Sequence, residues 1–184
     1  MQALAQRRSI RRWDEKPILL QDVSNLLWAA CGITKAAKGK AKSKRTAPSA
    51  CNAQEIRVYV LLTEGVYKYD ENAHTLVQVH GEDKRGHLGT QKMMKIAPMG
   101  LVYVADLSRM TGPYLRSDEA KRLSAWVDTG FVSQNVYLYC TAAGIGSVAL
   151  LLINRDELGM ALRLQEHEKI VMTQAVGYLQ ENVD

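Results

Sequence analysis

The apolar positions change their period several times along the chain, and each change marks an element. Residues 2–8 read as a short helix ending near Ser9. Beyond Pro17, the residues Val23, Leu26, Leu27, Ala30 and Cys31 recur at helical spacing. They predict a helix from Leu20 to Cys31, with Gly32 just past its C-terminus. Ile56 to Leu62 (IRVYVLL) is β-branched and aromatic, which predicts a strand. Val66 to Tyr69 and Thr75 to Val79 predict a hairpin turning across Asp70 to His74. Asp83 to Lys95 reads as helical, and Leu101 to Ala105 as a buried strand after Pro98. Ser117 to Ala143 is the longest helical pattern. With Trp126, Val127, Phe131, Val132, Val136, Leu138 and Tyr139 it is apolar on most sides, the mark of a helix covered all round. The other elements are too few to cover it all, so a two-fold partner is expected on the excess, and Gly130 and Ser133 would let its backbone come close. Ser147 to Ile153 then predicts a fully buried strand, Asn154 caps a helix running to Leu164, and Ile170 to Tyr178 closes the chain as a strand. The order of helices and strands predicts one α+β domain over residues 1–184.

Composition narrows the class. With 184 residues and 47% apolar content, the chain can bury about 70% of its unfolded surface. The longest apolar run, Val148 to Ile153, is far short of the roughly 20 residues of a membrane span. Arginines precede any apolar stretch that could serve as a signal peptide, so a cytoplasmic location is expected. Cys31, Cys51 and Cys140 form no C-x-x-C pair, and no two of the four histidines are placed for a metal, so no metal site is expected. Cys51 is read as structural, since no histidine is spaced to activate it.

The net charge of +5 is local. Residues 35 to 45 hold Lys35, Lys38, Lys40, Lys42, Lys44 and Arg45 with no acid; outside them, 18 basic residues face 19 acidic ones. This segment reads as an exposed, flexible loop. It also carries a rival reading, a nucleic-acid-binding module without enzymatic function. Against that, the segment has no aromatic residue for base stacking and the remaining surface is not net basic.

Three segments carry candidate chemistry. RRSIRRW, Arg7 to Trp13, packs four arginines and a serine into six residues, a grouping able to grip a phosphate through bidentate guanidinium bonds. RTAPSACNAQE, Arg45 to Glu55, is a turn-rich stretch feeding a strand. AAGIGSVALLLIN places glycines between a helix and a strand, where they permit close backbone approach. Gly144-Ile145-Gly146 follows a helix and lacks a third glycine, so it is no dinucleotide fingerprint.

The order RRSIRRW, LLWAACGI, APSACNAQEIRVYV, DTGFVSQNVYLYCTAAGIGSV and a closing VGY resembles the nitroreductase family over residues 4 to 179. The likeness is strongest to its short branch, which includes thiazoline-forming dehydrogenases of peptide toxin maturation. The resemblance implies a nitroreductase-like fold, with an antiparallel-rich sheet flanked by helices, assembled as an obligate homodimer. It implies FMN, contacted by Arg7, Arg8, Ser9 and Arg11, by Pro48, Ser49, Ala50 and Asn52 of the other subunit, and by backbone N–H groups at Leu151 and Leu152. It also implies a ping-pong oxidoreductase: NADH or NADPH delivers electrons, and a small electrophile such as a nitroaromatic or quinone takes them. No side chain is then needed as a catalytic acid or base. The alternative within the family is oxidation of an azoline in peptide maturation. Longer relatives add a C-terminal basic pair at the phosphate; Arg45 is the substitute this sequence offers.

Overall fold

Strong β-formers build the centre of the molecule. The computed structural model describes residues 1–180. Helix α1 (Gln2–Gln6) and helix α2 (Leu20–Cys31) precede a small two-stranded ribbon, β1 (Ile33–Lys35) with β2 (Lys44–Arg45). The main sheet contains β3 (Ile56–Leu62), β4 (Gly65–Asp70), β5 (Thr75–His80), β6 (Met99–Asp106), β7 (Ile145–Leu150) and β8 (Glu168–Tyr178). Its order is β5-β4-β3-β6-β8-β7 and every pairing is antiparallel. Helix α3 (Asp118–Ala142) joins β6 to β7, and helix α4 (Arg155–Ala161) joins β7 to β8.

The sheet has an apolar layer on each side, as strand alternation requires. On β6, Met99, Leu101, Tyr103 and Ala105 face a core shared with α2 and α3, while Val102 and Val104 face a second core with Leu88, Met94, Leu158 and Leu162. This is the α+β architecture expected, an antiparallel sheet flanked by helices. Among the described residues no helix is long and apolar enough to cross a membrane.

Helix α3 has local reasons for both ends. Ser117 accepts a hydrogen bond from the Ala120 N–H at 3.1 Å, and Asp118 and Glu119 lie in the first turn, where the helix dipole favours acids. Gly144, at φ 70°, takes the left-handed conformation that stops it. The helix is not covered all round, however. Its inner face buries Val132, Val136 and Cys140, but Leu123, Trp126, Val127 and Phe131 are exposed. The sheet and α2 cover one side only. Ser133 also departs from its expected role, because it faces inward and donates to Gln174 Oε1 at 2.8 Å; Gly130 remains open, with nothing near it.

Three other expectations change. Asp83 to Lys95 is not a helix but two short 3-10 turns, Arg85–His87 and Lys92–Ile96. Gly86 and Gly89 each weaken a helix by about 1 kcal/mol, and Arg85 instead binds Asp83 and the Ala97 carbonyl. Strand β7 begins two residues earlier than read and ends at Leu150, leaving Leu151 and Leu152 exposed. The last helix stops at Ala161, although Asn154 does cap it, accepting from Glu157 N–H. The basic segment is exposed as expected through residue 42, but its ends pair as β1 and β2.

Candidate functional site

The arginine segment is fixed by backbone and by two close approaches. Ile10 N–H donates to the Ser147 carbonyl of β7 at 2.9 Å, and Asp14 N–H to the Tyr178 carbonyl of β8 at 3.0 Å. A Cβ on Gly146 would stand 2.7 Å from Ile10 Cγ2, and one on Gly177 would stand 2.7 Å from the Trp13 side chain. These glycines let residues 10 and 13 lie flat on the strands. The close approach read from the sequence is therefore real, and its partner is the chain's own N-terminal segment.

Tyr137 of α3 is the hub of this region. Its ring lies 5.3 Å under the Arg7 guanidinium. Its hydroxyl is 3.4 Å from Ser9 Oγ and accepts from the Ala149 N–H at 2.8 Å. Arg8 donates to the carbonyls of Ala5 and Arg7, and Arg11 to that of Ser9 at 3.2 Å. None of Arg7, Arg8, Arg11 and Arg12 forms an ion pair with a carboxylate among the described residues. Beyond Ala149, Leu151 and Leu152 lie past the last paired residue of β7. Their N–H groups are thus outside the ladder, and the Leu152 carbonyl accepts from Thr90 N–H at 3.3 Å. Arg7, Ser9 and Ala149, one residue before the end of β7, come together around Tyr137. The result is a cationic strip beside unladdered backbone N–H groups, a combination suited to a phosphorylated, electron-accepting ligand.

The Pro48 to Asn52 segment forms a second cluster. It contains a 3-10 turn, Ala50–Asn52, with Cys51, Asn52 and Gln54 all in the left-handed region at φ 51°, 49° and 54°. The strained turn is over-determined by its bonds. Ala50 N–H donates to Asp128 Oδ2 at 2.8 Å, Gln54 N–H to Ser49 Oγ at 2.9 Å, and Asn52 Nδ2 to the Ser43 carbonyl at 3.0 Å. Pro48 and Cys51 are exposed, and Ser49, Ala50 and Asn52 half-buried. Ala50 N–H is thus engaged by α3 and the Asn52 amide by Ser43.

Beneath the turn lie two carboxyl groups. Glu55 is fully buried, and Asp128 is 4% exposed. Burial first, then the neighbouring Asp128, pushes the Glu55 pKa up to about 8. Neither carboxyl oxygen of Glu55 has a hydrogen-bond partner among the described residues, so the neutral form is favoured, while Asp128 holds the turn through Ala50. The folded pKa lies above that of the unfolded chain, so the native state holds an extra proton from about pH 4.5 to 8. Stability from this group is complete below that window and is lost as pH rises through it. One proton sets a limiting slope of about 1.4 kcal/mol per pH unit. Urea unfolding from pH 5.5 to 8.5 is expected to show this decline, and Glu55→Gln to flatten it. An unchanged slope in the variant would remove Glu55 as its source.

Arg45, the residue offered as a substitute for the basic pair, is engaged in an internal ion pair. Its side chain is 4% exposed, paired with Glu71, which also binds Arg57 at 2.6 Å, and it donates to the Ile56 carbonyl at 3.1 Å. Among the described residues no group of His, Cys, Asp and Glu is placed to hold a metal. Cys31 and Cys140 are buried, which pushes both thiols up to about 12; Cys51 is exposed rather than buried.

The two clusters do not meet. Asp128 and Tyr137 lie nine residues apart on α3, which is about 14 Å along the axis and half a turn around it. Beside Asp128 on the same helix, Trp126, Val127 and Phe131 form an exposed apolar stripe. No sequence pattern marks Tyr137, Asp128 or Glu55 as site residues. Each matters through a contact across the fold, and no local pattern marks such contacts.

The nitroreductase family model matches residues 4–178. A protein of Methanocaldococcus jannaschii, provisionally named a nitroreductase, is 31% identical over 179 residues, covering 92% of this chain and 86% of its own. A solved structure from Ralstonia eutropha with the same provisional name is 34% identical and superposes with a TM-score of 0.88, covering 98% of this chain and 83% of its own. Another so named, from Desulfovibrio desulfuricans in complex with FMN, shares the fold at a TM-score of 0.68 and 22% identity, covering 98% of this chain and 86% of its own.

Proposed function

The chain belongs to the nitroreductase family, and on that premise we propose that it is an FMN-dependent oxidoreductase working as a homodimer. The observation that carries this reading is the strip of arginines without carboxylate partners, held by Tyr137 beside the unladdered backbone after β7. A phosphate dianion fits it, and the Desulfovibrio relative was solved with FMN. Arg7, Arg8, Ser9 and Arg11 bind the phosphate end. The N–H groups of Leu151 and Leu152 face the ring edge, where they favour added negative charge. Pro48, Ser49, Ala50 and Asn52 belong to the neighbouring subunit's site, because within one chain they lie on the other side of α3. The stripe of Leu123, Trp126, Val127 and Phe131 is the surface through which the second copy docks.

When bound, FMN supplies the two-electron chemistry itself; the protein's part is to hold and orient it and keep water out. The electron donor is a reduced nicotinamide, and the acceptor a small electrophile such as a nitroaromatic or quinone. Equilibrium dialysis with FMN is expected to load about one flavin per chain, and NADH or NADPH to bleach the bound flavin's visible band. Folded protein that takes up no FMN would sink the proposal.

A further inference from the structure

We infer that the basic hairpin between β1 and β2 is a selectivity element that favours a 2′-phosphorylated nicotinamide donor, NADPH, over NADH. The inference rests on the flavin reading above, and it concerns residues that reading leaves unused.

The hairpin has a defined shape. Lys38 and Ala41 exchange two backbone hydrogen bonds, at 3.1 and 3.0 Å, across the turn Gly39–Lys40. Gly39 takes φ 59°, as the first position of a tight hairpin turn requires. Its five lysines, Lys35, Lys38, Lys40, Lys42 and Lys44, are all exposed. None forms an ion pair among the described residues. Lys35 stands directly opposite Lys44 across the two strands. Like charges facing each other in this way oppose pairing, and a bound polyanion would relieve the repulsion. Lysine ammonium groups act as point charges for phosphate without needing a fixed bidentate geometry.

The hairpin's base is tied to the flavin-facing turn. The Ser43 carbonyl accepts from Asn52 Nδ2 at 3.0 Å and from Gln54 Nε2 at 2.6 Å, and Ser43 Oγ donates to Gln54 Oε1 at 3.1 Å. Thr46 N–H donates to the Gly32 carbonyl at 3.0 Å, closing the ribbon. In the dimer proposed above, the Pro48 to Asn52 turn carries the lysines with it to the mouth of the neighbour's flavin site. Their field acts on an arriving donor over roughly a Debye length, about 8 Å at physiological salt. NADPH differs from NADH by one phosphate, about two further negative charges at neutral pH, and the lysines act on that difference. A nucleic acid is disfavoured as the occupant because the hairpin has no aromatic side chain on which a base could stack.

The test is the variant Lys38→Gln/Lys40→Gln/Lys42→Gln, whose three side chains are exposed and make no hydrogen bond within the described structure. In the full-length protein, wild type should prefer NADPH to NADH in kcat/KM, and the variant should reduce that preference about tenfold, through KM. Calorimetry with 2′,5′-ADP and 5′-AMP gives a readout independent of flavin. Wild type should bind 2′,5′-ADP more tightly, the difference shrinking between 50 and 500 mM salt and in the variant. Flavin uptake with no donor preference, or a preference unchanged in the variant, overturns the hairpin assignment and leaves the FMN reading standing. No flavin uptake with selective 2′,5′-ADP binding overturns the FMN reading alone. Salt-sensitive binding of a single-stranded 20-mer, lost in the variant and without 2′,5′-ADP binding, assigns the hairpin to a polynucleotide instead.

Discussion

Trp126→Asp is expected to produce a folded monomer that no longer holds FMN. Trp126 is 65% exposed in the isolated chain, so aspartate there does not open a cavity in the core. In the proposed dimer the same position lies at the centre of the stripe formed with Leu123, Val127 and Phe131. A carboxylate buried at such a contact without a partner is costly, and two copies of it face each other across a two-fold axis. An obligate interface of this kind buries on the order of 2,000 Å² or more, and a central aromatic anchor is where truncation acts most strongly. Loss of flavin follows from the layout of α3. The Arg7 to Arg11 strip and the Pro48 to Asn52 turn lie on opposite sides of that helix, so each monomer holds half of two sites and all of none. Sedimentation should show monomer at low micromolar concentration, and FMN affinity should fall at least a hundredfold, while Trp126→Leu stays dimeric. If assembly is coupled to folding, the wild-type Tm should rise with protein concentration. A Trp126→Asp dimer with FMN bound would move the interface elsewhere.

Helix α3 carries more large apolar residues than the few other elements of the domain can cover, a surplus that already points to a second copy, but the pattern does not say which of them the chain itself covers. The strands were legible for the opposite reason. Runs such as Ile56 to Leu62 and Ile170 to Tyr178 are buried on both faces within one chain, so composition alone marks them. The arginine segment and the glycines after α3 stand out as candidates because each is contiguous. Tyr137 does not, since its importance comes from contacts with Arg7 and Ser9, which lie far from it in sequence, and with Ala149 on the next strand. Arg45 shows the same limit in reverse. Within a run of lysines it looks like one more solvated cation, but its partner Glu71 follows 26 residues later and draws it into the core. At Leu151 and Leu152 the apolar run continued past the point where β8 stops pairing, so period alone extended the strand too far.

Arg7→Ala/Arg11→Ala is expected to abolish the preference of the protein for FMN over riboflavin. The two ligands differ only in the phosphate, so their ratio isolates the contact assigned to these side chains. A hydrogen bond to a charged group is worth about 1.5–3 kcal/mol, or roughly ten- to a hundredfold in affinity for each arginine. FMN binding should therefore weaken by two to four orders of magnitude in the double variant, while riboflavin binding changes little. Neither guanidinium is paired with an acid among the described residues. Arg7 rests on the Tyr137 ring and Arg11 reaches no further than the Ser9 carbonyl. Removing them breaks no buried ion pair, and the Tm of the flavin-free protein should stay close to wild type. Tyr137→Phe supplies the graded case. It keeps the ring under Arg7 but removes the hydroxyl shared by Ser9 and Ala149, so it should loosen the end of β7 and weaken FMN and riboflavin alike. Cys51→Ala touches neither contact and should leave both affinities as they are. Fluorescence titration of each flavin into the apoprotein separates these outcomes. If the double arginine variant kept its preference for FMN, the phosphate would have to lie elsewhere, and the strip beside Tyr137 would be a solvated charge cluster.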